Sequence, residues 1–393
     1  MQYKILEVKD KKGIDEFLML PVRFYRNEPN YIRPLNEDVE KVFNPKINKS
    51  FRNGECIRWI LKDGDDETVG RVAAFYDKKI AGNNEQPTGG MGFFECINNK
   101  EAAFRLFDAC REWLTDKGME AMDGPVNFGD RDRWWGLLVD GFSEPNYCVP
   151  WNFKYYKDLF EDYGFQNYFN QYTFRRHIGV DGIHPAIMEK AERVFRNPDY
   201  SFRHIDRRNL EKAADDFRIV YNQAWGRHSG VKDITKTHAE ALLNSFKPIM
   251  DEELIWFAYH KDDPIGFYIM IPEINQIIKH LSGKLDLVGK IKFMYHKWRK
   301  TCRKTYGVIF GVVPQFQSKG IEGGMIKAFA NIAVRPGFQY NEIELNWIGD
   351  FNPAMIKLAN QLAFKPIKTH VTWRYLFDRE KEFKRAKSLL GKD

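Results

Sequence analysis

Residues 307–326 hold the densest group of chemistry-bearing positions in this 393-residue chain. An apolar run, Gly307-Val308-Ile309-Phe310-Gly311-Val312-Val313, stops at Pro314 and gives way to a polar turn, Gln317-Ser318-Lys319-Gly320. Ile321, Met325, Ile326 and Phe329 then recur at helical spacing. A strand, a glycine-bearing turn and a helix start together form a cradle for an anion. The N–H groups of the first helical turn have no partner inside the helix, and the helix dipole adds about half a positive charge. Groups able to take a proton lie on neighbouring strands. Glu273 follows Pro272 at a strand end, and Glu344 stands inside the alternating run 342–346. His260 and His370 have suitable intrinsic pKa values, although a lone histidine on a strand is more often structural.

These residues need a scaffold, and the pattern supplies one twice. Residues 1–8 alternate like a strand, and 14–25 carry helical spacing broken at Pro21. Runs 55–61 and 68–76 flank Asp63-Gly64, a strong hairpin signal. Strand 92–97 leads to an amphipathic helix through Lys117, capped by Asn98 and ended by Gly118. Asn152, a helix, Gly164-Phe165 and an alternating run to Phe174 close the first half. The order then recurs: strand 200–205, helices 209–225 and 235–250, and a hairpin across Asp262-Asp263-Pro264. The glycine loop follows, then strand 342–348, a helix opening at Asn352-Pro353, and a last strand 369–377. Asn to Phe spans 152–165 in one half and 352–364 in the other, so two copies of one α/β unit are expected, about 200 residues apart. The expected boundaries are 1–178, a linker at 179–198, and 199–393.

Composition narrows the function. Hydrophobic residues make up 43% and charged residues 29%, which is enough for two packed cores with a wetted surface. No run approaches the ~18 apolar residues of a membrane helix, and the N-terminus lacks a signal-peptide core, so a cytoplasmic protein without a membrane span is expected. Five scattered cysteines form no CxxC pair, which argues against a disulfide framework and a zinc site. The net charge of +7 is partly local. Between 279 and 304 lie Lys284, Lys290, Lys292, Lys297, Arg299, Lys300 and Arg303, with Asp286 as the only acid. Such a cluster serves phosphate, nucleic acid or anionic lipid, or is a solvated helix face.

Gln317, two residues, then Gly320 resembles the Gln/Arg-x-x-Gly-x-Gly/Ala loop of the GNAT superfamily, the acyl-CoA-dependent N-acyltransferases. Here Glu322 stands at the sixth position and Gly323 follows it. The resemblance covers nearly the whole chain as a tandem GNAT-like protein, each half a central mixed β-sheet flanked by helices. It implies an N-acyltransferase that moves an acyl group, foremost acetyl, from acyl-CoA to the amine of a small molecule or peptide, without a metal. It places the CoA pyrophosphate on Gln317, Ser318, Lys319, Gly320, Ile321 and Gly323, with Asn352 nearby and the thioester carbonyl over the N–H groups of Val312 and Val313. Glu273 or Glu344 would be the base. The family's tyrosine acid would fall at Ala359, so Tyr375 on the last strand is the substitute. The first half has Asn98-Asn99-Lys100-Glu101 where a phosphate loop is needed and reads as a degenerate copy that walls the substrate cleft. Two other readings stay open: a Fem-like transferase using aminoacyl-tRNA, with 279–304 meeting the tRNA, and a catalytically inactive ligand-binding or scaffold protein.

Overall fold

A computed structural model of the chain describes residues 2–82, 86–129, 131–225 and 233–388. Its strands are β1 (Lys4–Glu7), β2 (Gly54–Lys62), β3 (Thr68–Asp77), β4 (Thr88–Cys96), β5 (Ala121–Gly124), β6 (Leu137–Asp140) and β7 (Gln166–His177), followed by β8 (Tyr200–His204), β9 (Ile255–His260), β10 (Asp263–Pro272), β11 (Lys304–Val312), β12 (Glu342–Gly349) and β13 (Lys365–Leu376). Both expected hairpins form. At the first, Asp66 takes a left-handed φ of 61°; at the second the turn falls at Lys261, φ 56°, one residue before the expected acids.

The two halves repeat one pattern. Each has an antiparallel meander, β1–β4 or β8–β11, whose last strand then pairs in parallel with the next, β4 with β5 and β11 with β12. They do not form two separate sheets. The order is β1-β2-β3-β4-β5-β13-β7-β12-β11-β10-β9-β8, with β6 attached to β13. The closing strand of each half therefore sits in the other half's part of the sheet. Packing follows the exchange: Trp373 and Tyr375 of β13 join the first-half core, and Phe174 of β7 joins the second. Burying each such aromatic ring contributes about 1.5–3 kcal/mol, so the crossover welds the halves.

Helices cover the faces: α1 (Lys11–Phe24), α2 (Lys100–Asp116) and α3 (Tyr156–Tyr163) on the first half, then α4 (Pro185–Arg196), α5 (Leu210–Trp225), α6 (Lys236–Phe246), α7 (Leu287–Trp298), α8 (Ile321–Ala333) and α9 (Pro353–Gln361). Pro21 sits inside α1 rather than ending it. The expected linker holds α4, which packs against the start of α8. Asn99, not Asn98, caps α2, its side chain accepting from the Ala102 N–H at 2.9 Å. Asn152, which heads the first half's closing segment, does not cap its helix, whose N-cap position is Tyr155; its Oδ1 and Nδ2 bond the Leu138 N–H and carbonyl at 2.8 and 3.0 Å and hold β6 in place. All five cysteines are free. Among the described residues no helix is long and apolar enough to cross a membrane, and no group of three or more His, Cys, Asp or Glu is placed to hold a metal ion.

Candidate active site

β11 and β12 pair in parallel only from Lys304–Glu342 to Gly307–Leu345, then part. Both carry an irregularity where they separate. On β11, Val308 is extra relative to β10, because Ile309 faces Ile269 and Gly307 faces Met270. On β12, Asn346 and Trp347 stand between the positions opposite Phe174 and Tyr172 of β7. Such bulges bend a strand and free its edge. The wedge between them holds a cavity of about 370 Å³, its walls built from Phe310, Leu345, Phe329, Met355 and Leu358, with Asn346 at its border. Beyond Gly307 the edge of β11 facing this wedge has no strand partner.

The turn expected to bind phosphate lies at the far end of β11. Gln317, Ser318 and Lys319 are exposed; Gly320, Ile321 and Gly323 are buried. Gly320 has φ +101° and heads α8, whose first turn carries no side-chain cap. The glycines have a second cause that the spacing does not reveal. A Cβ on Gly320 would lie 2.7 Å from Lys190 Cβ, one on Gly323 would lie 2.9 Å from Ile187, and one on Gly324 would lie 2.3 Å from the Phe202 ring. Close approach of α4 and β8 therefore demands them. Lys190 Nζ donates to the Ser318 carbonyl at 3.1 Å, so two lysines, Lys190 and Lys319, flank the turn. Gln317 Nε2 donates to the Val312 carbonyl at 3.0 Å. The Val313 N–H is unsuited to polarise a thioester because it already donates to the Ile265 carbonyl at 2.9 Å. Asn352 caps α9, accepting from the Met355 N–H at 3.2 Å, and borders the cavity.

The equivalent wedge of the first half is closed. After β5 the chain continues alongside β4 in the same direction, and the Val126 N–H donates to the Met91 carbonyl at 2.8 Å. Gly92 permits this, since a Cβ there would stand 2.1 Å from the Val126 carbonyl oxygen. What remains is a void of about 80 Å³ walled by Trp134, Trp151 and Glu95. Glu95 is satisfied by Tyr25, Tyr156 at 2.8 Å and Arg71 at 3.3 Å. Gly92→Val is expected to cost about 3 kcal/mol by overpacking against backbone, read as a lower midpoint in chemical denaturation; an unchanged midpoint would contradict the closed wedge.

Behind the β11–β12 wedge, on the opposite sheet face, lies a buried polar layer. Glu344 is fully buried; its Oε1 meets Arg175 Nε at 2.7 Å and Lys304 Nζ at 2.8 Å, and Lys368 Nζ stands 3.7 Å from Oε2. Burial opposes its charge, but these cations hold its carboxyl down at about 2. Such a group is a fixed anion near neutral pH, which argues against Glu344 as the base. Lys368 is itself pushed down to about 8, because burial and the neighbouring Lys304 and Arg175 outweigh the pull of Glu344.

Glu273 differs. Its Oε1 accepts from the backbone N–H groups of Tyr147 and Asn275, both at 3.0 Å, while Oε2 has no hydrogen-bond partner among the described residues. Burial, with the Glu344 charge adding, raises its pKa to about 7. The ionisation of Tyr306 on β11 is opposed by burial and by the charge of Glu273; its hydroxyl accepts from Asn346 Nδ2 at 3.3 Å, and Asn346 Oδ1 accepts from Thr173 Oγ1 at 2.6 Å.

The remaining candidates lie elsewhere. Tyr375 pairs with Met122 on β5 and packs on Tyr163, ring centroids 4.8 Å apart, inside the first-half core. The strand exchange removes it from the second-half wedge, so it cannot supply a proton there. His260 packs on Tyr200 and Phe316 at the end of β9. His370 is buried against the Pro150 carbonyl at 3.2 Å and pushed down to about 4, hence neutral. Lys304, Tyr306, Asn346 and Lys368 escaped the sequence reading. Their signal is polar residues at alternate strand positions, Lys304-x-Tyr306 and Glu344-x-Asn346, which marks a polar face.

A mixed sheet in which an antiparallel four-strand meander is followed by a fifth strand parallel to the fourth, occurring twice in one chain, defines the tandem GNAT-like fold. The solved structures agree. A tandem GNAT protein from the clavulanic acid biosynthesis pathway superposes with a TM-score of 0.54 at 10% identity, covering 97% of this chain and 100% of that one. The glucosamine N-acetyltransferase region of a fungal multi-domain β-N-acetylglucosaminidase gives 0.54 at 11% identity, over 95% of this chain and 38% of that one. No family model matches the chain. In sequence it is similar to a bacterial ceramide synthase of Caulobacter vibrioides, 26% identical over 376 residues (93% of this chain, 95% of the relative). It is also similar to protein YghO of Escherichia coli, 23% identical over 365 residues, 92% of each chain.

Proposed function

We propose that the protein is an N-acyltransferase that forms an amide from a coenzyme A thioester and a primary amine, with the thioester in the β11–β12 wedge. The observation that carries this is the contrast between the halves: the same fold position is open and apolar in the second and sealed by Val126 in the first. The unpartnered edge of β11 offers backbone groups to the amides of a pantetheine arm. The uncapped start of α8, with Lys190 and Lys319 beside the turn, suits its phosphates. At the bulge, N–H groups of β11 near Val308 are the donors that would polarise the thioester carbonyl. The amine nitrogen attacks that carbon, the C–N bond forms and the C–S bond breaks. Glu273 takes the proton released from nitrogen, relayed through Tyr306. The thiolate leaves and is protonated from solvent.

The acyl group is a long one. Walls of Phe310, Phe329, Met355 and Leu358 favour a hydrocarbon tail over the two carbons of acetyl. The similarity to a ceramide synthase supports the same chemistry, because a ceramide is the amide of a fatty acid with a long-chain amino alcohol. Purified protein, incubated with palmitoyl-CoA or acetyl-CoA and a long-chain amino alcohol, is assayed for free CoA thiol and for amide by mass spectrometry. We expect kcat/KM for palmitoyl-CoA to exceed that for acetyl-CoA by roughly ten-fold or more. Met355→Trp, which fills the wedge, should reverse this order. Equal use of both donors would refute the long-chain assignment, and no thiol release from either would refute the transferase.

A further inference from the structure

The basic segment between β10 and β11 folds into α7, and this helix is turned inside out. Of its twelve residues, Leu287, Val288, Ile291, Met294, Tyr295 and Trp298 are all more than half exposed, Trp298 at 77% and Leu287 at 75%. Scattered exposed hydrophobics are ordinary on a protein surface, whereas a contiguous patch is not. At 3.6 residues per turn these six fall on one stripe about 120° wide. The opposite side faces the body: Gly289 is buried, Phe293 packs on the core, and His296 stacks on His280 with ring centroids 4.2 Å apart. Lysines edge the stripe on both sides, Lys292 along one border and Lys290 with Lys297 along the other. Lys284, Arg299 and Lys300 stand just beyond its ends. Among the described residues, Lys284, Lys290, Lys292, Arg299 and Lys300 are exposed and none makes an ion pair with another described side chain.

We propose that α7 docks the protein on the surface of an anionic membrane, lying in the plane of the headgroups with its apolar stripe sunk toward the acyl chains. The pattern is that of an interfacial helix: short, a wide apolar face, lysines whose stems reach back to the phosphates, and Trp298 and Tyr295 at the depth that indole and phenol rings prefer. Charge selects the lipid. The flanking cations, with Asp286 engaged in capping the helix through the Gly289 N–H at 2.9 Å, match a negative headgroup layer. A second copy of the chain fits poorly, since pairing two such stripes brings the lysine borders together. Beside the stripe lies a groove of about 400 Å³ walled by Ile249, Ile274, Ile277, Phe293, Met294 and Trp298. The inference stands apart from the acyl-transfer reading, because it uses no residue of the wedge.

The test is flotation with phosphatidylcholine vesicles, with and without phosphatidylglycerol, at low and high salt. The intact protein is expected to float with the anionic vesicles, and less so as salt rises. Ile291→Ser with Trp298→Ser should lower partitioning by roughly ten-fold or more, through loss of buried apolar area. Lys290→Glu with Lys292→Glu should do the same on anionic vesicles only. All four positions are exposed, so thermal melting of both variants should match the parent and separate docking from folding. Protein that stays in the soluble fraction with every vesicle overturns the proposal. So does a vesicle-free dimer that the Ile291/Trp298 change dissolves, or retention of tRNA that only the lysine changes abolish.

Discussion

Replacing Glu273 by glutamine is expected to lower the rate of amide formation by about 10²–10⁴-fold while the protein stays folded. Glutamine keeps the carbonyl oxygen that accepts from the Tyr147 and Asn275 N–H groups, and its amide nitrogen occupies the place of the unpartnered oxygen. Only the proton acceptor is lost. The carboxyl of Glu273 is raised to about 7 by burial, so in the parent the active, ionised form accumulates as pH rises through that value. Activity should climb over the same range, and in the variant the residual rate should lose that step. Stability carries the opposite sign. A carboxyl raised in the folded state favours folding when protonated, and this contribution is lost as pH rises from about 4.5 toward 7. The variant cannot ionise and should therefore be the more stable protein above that range. A pH–rate profile with its midpoint unmoved by the substitution would assign the base elsewhere.

The second large effect is structural. Glu344→Ala is expected to destabilise the protein by about 3–5 kcal/mol, because it leaves Lys304, Lys368 and Arg175 around a buried space with no anion among them. Glu344 lies on β12, Arg175 on β7, Lys304 on β11 and Lys368 on β13, so the cluster ties together the strands at the crossover between the halves. Adding Lys368→Met to Glu344→Ala should recover part of the loss, since it removes the most deeply buried cation. Acid should act in the same direction as the single change. With its folded value depressed to about 2, Glu344 contributes stability above its ordinary value near 4.5, and that contribution drains as pH falls toward 2. Chemical denaturation of the single and double variants checks this. A single variant as stable as the parent would mean the cations find another partner or move to solvent.

The local elements of the fold were legible in the sequence because they are fixed by near neighbours. The loop after β2 closes through its own residues, Asp63 Oδ1 accepting from the Asp65 and Glu67 N–H groups, and Asn352-Pro353 opens a helix by the same local logic. The repeated order of elements pointed to two copies of one unit. The exchange of β7 and β13 left no mark, because an alternating strand reads alike in either sheet. That ambiguity misplaced Tyr375. Gly320 and Gly323 show the converse: glycine was read only as room for a ligand, while packing of Lys190 and Ile187 of α4, 130 or so residues away, leaves no room for a Cβ at either position. The polar layer was half visible. Glu273 and Glu344 stood out as acids, yet nothing local distinguished a carboxyl ringed by three cations from one held only by backbone N–H groups. That difference decides which can accept a proton, and it arises only where β7, β12 and β13 meet.

On the proposed function the open edge of β11 receives an acyl-CoA and the closed edge of β4 does not. Backbone hydrogen exchange on the intact protein, with and without palmitoyl-CoA, distinguishes the two edges. Amides of residues 308–312 and of the turn 317–321 should slow in the presence of the thioester, while those of residues 89–93 on β4 stay unchanged. Protection that falls on β4, or that spares 308–312 under conditions where the thioester is bound, would contradict the claim.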